Sequence, residues 1–225
     1  MRLLVVFDID GTLTPIKSSW NFIHTVLSTK LRSEHYKSLF FNKELSYDEW
    51  VYLDLSLWKG LSYETFKKIL YAIPWRRGIE RLTKLVNNYR DVAKFIAITG
   101  GFSVLCERVM KELGFEWCIG TEIELDENNK LTGCARRYVG FRGKASTLQE
   151  YIEESHEKYL AIVSVGDDVN DVELFQQSDV SIAFCCEDSV GRYASIHVRS
   201  CNISKLVEVL ESILKRLIMM RLTAL

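Results

Sequence analysis

Four short apolar runs limit what this chain can become: residues 2–7 (RLLVVF), 92–98 (VAKFIAI), 160–165 (LAIVSV) and 180–184 (VSIAF). Each is nearly continuous in apolar character over five to seven residues. Strands buried on both faces of a parallel sheet read this way, whereas a half-exposed strand alternates. Helical stretches separate them, at 78–90, 101–114, 143–156, 170–177 and 203–222. Strands alternating with helices imply an α/β fold, a doubly wound and mostly parallel sheet with right-handed crossovers. A hairpin interrupts the series, with Glu122 to Asp126 and Leu131 to Cys134 flanking an Asn-rich turn. The 225 residues are enough for a sizeable core.

Residues 15–75 differ in kind. They hold 13 of the 26 aromatics, among them Trp20, Trp50, Trp58 and Trp75. Apolar residues recur at helical spacing, at Trp20, Ile23, Val26 and Leu27 and again at Trp50, Leu53, Leu57 and Trp58. The chain's two prolines, Pro15 and Pro74, bracket the segment and stiffen its connections. A small helical module inserted after the first strand follows, with 1–14 and 76–225 as the core and hinges near the prolines. Its aromatics fit best as the module's own core, with some facing a pocket over the sheet.

Chemistry concentrates where the strands end, the edge at which open α/β sheets bind ligands. Asp8-Ile-Asp-Gly-Thr closes the first strand, and Gly11 lets the chain turn so that Asp8 and Asp10 reach one place. One carboxylate can then act as nucleophile while the other moves a proton. Thr99-Gly-Gly follows the second strand and offers a hydroxyl and backbone amides to an anion. Arg142-Gly-Lys144 opens a helix, and its lysine can neutralise a phosphate. Gly166-Asp-Asp-Val-Asn-Asp171 gathers three carboxylates at another strand end, a cost that a cation offsets. Hard oxygen donors with few histidines point to Mg²⁺.

These four elements, in this order, resemble the haloacid dehalogenase superfamily of Mg²⁺-dependent phosphohydrolases, and within it the phosphoserine phosphatase branch with its helical cap. The likeness covers the core motifs at 4–14, 96–103, 142–146 and 164–175, the hairpin and the cap position. It implies that Asp8 attacks phosphorus to form an aspartyl-phosphate and that Asp10 protonates the leaving oxygen and later activates water. It further implies Mg²⁺ held by Asp8, the Asp10 backbone carbonyl and Asp167. Thr99, Gly100 and Lys144 would bind the phosphoryl group, with Asp171 orienting Lys144 and Asn170 near the phosphate. The superfamily's dehalogenases lack the second acid, so Asp10 favours phosphate-ester hydrolysis. A phosphotransferase would use the same intermediate with a different acceptor.

The branch's substrate-binding charges are altered. Lys17 stands where relatives place a glutamate for the amino group, and Asp54 where they place an arginine for the carboxylate. A zwitterionic phosphoamino acid would meet like charge at both ends. The substrate reading is therefore a small phosphorylated metabolite other than phosphoserine, with genuine phosphoserine phosphatase as the alternative. Lys17 pairing with Asp54, or Arg32 or Arg76 serving as the clamp, are further expectations.

Lys and Arg number 29 against 30 Asp and Glu, a balance with no footprint for nucleic acid. The apolar runs are too short for a membrane span, and no signal pattern opens the chain, so the expected place is the cytoplasm. The six cysteines show no zinc spacing and read as reduced, mostly buried thiols, although a disulfide between distant cysteines stays open. The last helix carries an apolar stripe from Leu206 to Ile218, which Met219, Met220 and Leu222 widen beyond what a small sheet face covers. That width suggests a homodimer through this helix. Lys215, Arg216 and Arg221 suit its C-terminus.

Overall fold

The computed structural model describes residues 1–141 and 143–223, with the side chains of 221–223 left aside. Arg142 of the third motif and the side chains of Arg221 and Leu222 therefore lie outside the described residues. The chain enters as β1 (Arg2–Phe7) and then runs through four helices, α1 (Ser19–Val26), α2 (Lys30–Phe41), α3 (Tyr47–Ser56) and α4 (Tyr63–Tyr71). It continues as α5 (Ile79–Tyr89), β2 (Ala93–Phe102), α6 (Ser103–Leu113), β3 (Trp117–Leu125), β4 (Leu131–Arg137) and α7 (Lys144–Ser155). Then come β5 (Tyr159–Gly166), α8 (Val172–Gln176), β6 (Val180–Phe184), α9 (Asp188–Gly191), β7 (Ile196–Val198) and α10 (Ile203–Thr223). The seven strands form one sheet in the order β4-β3-β2-β1-β5-β6-β7.

β1 lies inside, parallel to β2 on one side and β5 on the other, and β6 and β7 continue in parallel. Its side chains divide between two cores as strand alternation requires. Leu3, Val5 and Phe7 join Leu82, Leu105, Leu206 and Leu210 of α5, α6 and α10. Leu4 and Val6 face Leu148 of α7 and Leu174 of α8. The doubly wound reading holds. β3 is bent: its first half pairs parallel with β2 and its second half pairs antiparallel with β4. The hairpin was anticipated, but the parallel half of β3 and the three-residue β7 were not. The run 92–98 also proves longer, because β2 continues through Thr99-Gly-Gly to Phe102 and α6 starts at Ser103. Likewise 170–177 divides into a tight turn at 169–171 and the short α8.

Three of the four helices of the insert, α1, α3 and α4, begin where serines supply caps, whereas α2 follows Thr29 with no side-chain capping bond. Ser18 accepts from the Asn21 amide, Ser46 forms a reciprocal box with Glu49, and Ser62 accepts from the Thr65 amide. Trp58 is buried among Trp20, Phe66 and Phe102, so part of the aromatic excess is indeed the insert's core and its seam with the sheet. The two crossings are joined. The buried Arg76 guanidinium donates to the carbonyls of Gly11 and Thr12, and its amide donates to Leu13 O at 2.9 Å.

On α10, Ile203, Leu206, Leu210 and Leu214 are fully buried, while Met219 is 66% and Met220 58% exposed. Among the described residues no helix is long and apolar enough to cross a membrane. The reading of six reduced thiols is corrected: Cys106 is bonded to Cys118 and Cys185 to Cys201, leaving Cys134 and Cys186 as thiols. The first pair meets because α6 folds back along β3, which brings their Cα atoms to 5.3 Å. The second joins the end of β6 to the segment before α10, with Cα atoms 4.6 Å apart. Neither approach is visible in spacing along the chain.

Candidate active site

The carboxyl ends of β1, β2 and β5 carry the chemistry. Asp8, first after β1, is buried, and its Oδ1 accepts from Lys144 Nζ at 2.5 Å. The same ammonium donates to Asp171 Oδ1 at 2.6 Å. Lys144 is the first residue of α7 and only 2% exposed, so burial works against its charge. The two carboxylates outweigh that cost and hold it protonated. Burial also pushes the Asp8 carboxyl well above the usual range; Asp171 and Asp167 add to this, and Lys144 opposes it. Asp171 is heavily used: its Oδ2 accepts from the Asp167 amide at 2.9 Å and the Asp168 amide at 3.1 Å.

Asp10 sits across from this group. Its Oδ2 accepts from the Ser19 amide at 2.7 Å and the Ser19 hydroxyl at 2.6 Å, while Oδ1 is shielded and has no hydrogen-bond partner. Burial raises its pKa, with the Ser19 bonds acting the other way. Gly101 permits this arrangement, since a Cβ there would lie 2.7 Å from Asp10 Oδ2. Thr99 is fully buried and its Oγ1 accepts from the Gly101 amide at 3.0 Å. The register between β2 and β3 slips between Ile98 and Phe102, which takes Thr99-Gly100-Gly101 out of the regular ladder. Trp20 Nε1, at 3.0 Å, and Thr121 Oγ1, at 3.2 Å, both donate to the Gly100 carbonyl and fix that peptide.

Asp167 completes the group. Its Oδ1 accepts from Thr12 Oγ1 at 2.9 Å, and its Oδ2 carries the Lys17 ammonium. Burial pushes its carboxyl up to about 6, and Asp171 contributes. Gly11, at φ +79°, passes so close to the Asp167 carboxylate that no side chain would fit. Asp8, Asp167 and Asp171 each offer an oxygen within 4.8 Å of the others. Asp171 accepts three hydrogen bonds, from Lys144 and two amides, so Asp8 and Asp167 are the readier oxygens for a hard divalent cation. The donor set fits one: Asp167 already draws onto itself a lysine whose side chain is 58% exposed, so the place demands positive charge.

A cavity of about 500 Å³ opens from Asp8, Asp10, Thr99 and Gly100 towards the insert. A sequence profile of the haloacid dehalogenase-like hydrolases matches residues 5–176, the span that holds every group just described. The chain belongs to this family. Among curated relatives it is 26% identical over 215 residues to the phosphoserine phosphatase of Archaeoglobus fulgidus. That match covers 93% of this chain and 60% of the relative. It is 24% identical to the phosphoserine phosphatase of Methanocaldococcus jannaschii, covering 92% and 97% of the two chains. A probable phosphoserine phosphatase of Schizosaccharomyces pombe is 28% identical, over 84% of this chain and 63% of that one. The chain thus spans under two thirds of the first and third of these relatives. Two solved structures, a phospho-aspartyl intermediate analogue of phosphoserine phosphatase and a substrate-bound phosphoserine phosphatase complex, each superpose with a TM-score of 0.76 at 21% identity. They cover 92% and 93% of this chain and 98% of their own, and they show the haloacid dehalogenase fold.

Most residues singled out in the sequence meet at this hydrolase's cavity. Asp8, Asp10, Lys17, Asp54, Thr99, Gly100 and Asn170 line it, with Asn170 Oδ1 shielded and without a hydrogen-bond partner. Lys144, Asp167 and Asp171 lie behind Asp8. Three expectations fail. Lys17 does not pair with Asp54: it reaches back to Asp167 and to the Cys185 carbonyl at 3.3 Å, while Asp54 is buried with its Oδ1 facing His24 Nε2 at 3.4 Å. Arg76 cannot clamp a substrate because backbone carbonyls consume it. Arg32 is not among the lining residues; the second cation there is Lys37 of α2. Ser19 and Thr12 were missed. The cap signal at Ser18-Ser19 could have suggested the first, whereas a threonine two residues past Asp10 carries no signal of its bond to Asp167.

Lys144 is the sole cation on Asp8 and Asp171 among the described contacts, so Lys144→Met leaves two buried carboxylates uncompensated. Metal-free urea unfolding is expected to show a loss of about 3–5 kcal/mol. A loss below about 1 kcal/mol would mean that these carboxylates are not held by this ammonium.

Proposed function

We propose that this protein is a Mg²⁺-dependent phosphomonoester hydrolase acting through an aspartyl-phosphate on Asp8. The observation that carries the reading is the buried Lys144 between Asp8 and Asp171, with Asp10 facing the same cavity. An Asp8 carboxylate oxygen forms a bond to phosphorus as the ester oxygen leaves. Asp10, favoured in its protonated form by burial, gives that oxygen its proton. Lys144 and Thr99, with the amides near Gly100, stabilise charge on the equatorial oxygens. Asn170, which lines the cavity, would bond the same group. Asp10 then takes a proton from water, whose oxygen attacks phosphorus, and Asp8 is released with inorganic phosphate. Asp8 and Asp167 would hold the Mg²⁺ with the Asp10 backbone carbonyl, and the ion would neutralise phosphate charge and lower the Asp8 pKa.

The division into a core (1–14 and 76–225) and a cap (15–75) belongs to this proposal, and the bonds of Arg76 to Gly11, Thr12 and Leu13 support it. The substrate we propose is a small phosphorylated metabolite other than phosphoserine. Lys17 and Asp54 both line the cavity with altered charge, and its volume exceeds what a three-carbon ester fills. Phosphoserine itself is the second reading, favoured by the names of the relatives and by Lys37, a second cation lining the cavity whose ammonium lies over the Phe41 ring. Self-association through the exposed end of α10 is also proposed.

Two measurements test this. Mg²⁺-dependent phosphate release across phosphomonoesters, phosphoserine included, is expected to fall about a thousandfold or more in Asp8→Asn. Phosphoserine is expected not to lead the panel; leading it by more than tenfold would overturn the substrate reading. Added alcohol that diverts phosphate into a new ester would instead mark a transferase. Sedimentation velocity is expected to give the mass of two chains, and a monomer mass at every concentration would contradict self-association.

A further inference from the structure

The far wall of the cavity is aromatic. Trp20 of α1, Phe41 of α2, Tyr47 and Trp50 of α3, and Phe141 after β4 line the space that begins at Asp8 and Asp10. Four of them form a connected group of rings, with Tyr47 and Phe141 6.1 Å apart, Tyr47 and Trp50 6.0 Å, and Phe41 and Phe141 6.2 Å, whereas Trp20 packs on Trp58 and Phe102. Phe40 stacks on Trp50 from behind at 4.9 Å and holds the indole in place. These rings are not fully used as core. Phe41 borders the partly open cavity and is 56% exposed, with the Lys37 ammonium 5.9 Å from its ring centroid, and an apolar ring there gains by being covered.

Two polar atoms on the same wall lack hydrogen bonds. Trp50 Nε1, a donor, and Asp54 Oδ1, an acceptor, are both shielded from solvent and unpartnered, apart from His24 beside Asp54. Leaving such groups unpaired is costly, and a ligand that pairs both would recover that cost. They ask for opposite partners: an acceptor for Trp50 and an N–H or O–H donor for Asp54. A purely aliphatic three-carbon ester has no π face for these rings and would leave most of the cavity to water.

Resting on the phosphatase reading, we infer that the substrate is a phosphomonoester whose leaving alcohol carries a flat unsaturated ring with hydrogen-bonding substituents. The ring lies among Phe41, Trp50 and Phe141, and a donor on it or beside it bonds Asp54. The phosphate end stays with Asp8, Thr99 and Lys144. Specificity then comes from the insert, while the reaction belongs to the strand ends.

Matched pairs of esters test this, because each pair keeps the reacting primary alcohol and varies only the ring. Adenosine 5′-monophosphate is compared with ribose 5-phosphate, and 2-phenylethyl phosphate with butyl phosphate, with Mg²⁺ and the full chain. The ring-bearing member of each pair is expected to have a kcat/KM about tenfold higher or more, the scale of one to two aromatic contacts. Phe41→Leu keeps an apolar side chain at an exposed position and removes the π face, so the two ratios are expected to fall towards one, mainly through KM. Ratios near one in the unaltered protein, or ratios untouched by Phe41→Leu, would overturn the inference while phosphate release itself persisted. Absence of phosphate release from every ester, p-nitrophenyl phosphate included, would instead overturn the phosphatase reading.

Discussion

One ammonium sets the terms for the rest of the site. Lys144, buried at the start of α7, donates to Asp8 and Asp171 together. Without it, Asp8, Asp167 and Asp171 could not stand within 4.8 Å of one another in a buried place. Each carboxylate is then specialised by what else it meets. Asp171 spends its second oxygen on two backbone amides and becomes a fixed support. Asp167 takes Thr12 and an exposed lysine, so its partner can be exchanged. Asp10 stands apart on Ser19, the first residue of the insert's first helix, with one oxygen left towards the cavity. The loop after β1 thus supplies the Asp10 carboxyl, and Ser19 of α1 sets its orientation.

Close backbone approach is the second requirement. Gly11 leaves room for Asp167, and Gly101 leaves room for Asp10 and Ser19. The same loop after β1 supplies the carbonyls that Arg76 grips where the chain returns from the insert. Its buried guanidinium ties the outgoing and returning crossings to one point beside Asp8 and Asp10.

The sheet was legible because its strands are buried on both faces, which leaves uninterrupted apolar runs such as Leu3 to Phe7. β7 was not, since three residues with His197 in the middle carry no run to detect. The parallel half of β3 was missed because Trp117 to Gly120 mixes an aromatic, a cysteine and glycine in place of a branched run. The core residues Asp8, Asp10, Thr99, Lys144 and Asp167 were readable because strand ends converge in this topology. Residues of the insert were harder. Lys17 and Asp54 were read as substrate-binding positions, yet their partners depend on helix orientations that periodicity does not specify. The disulfides were hidden for the same reason: Cys185 and Cys201 meet only once β6 and α10 are packed.

The proposed phosphate carrier, Asp8, can be trapped directly. Mixing the protein with a phosphomonoester, quenching in acid during turnover and reducing with tritiated borohydride would mark any acyl phosphate. Peptide mapping then locates the label. Incorporation is expected at Asp8 alone. Label at another carboxylate, or none while phosphate is being released, would contradict it.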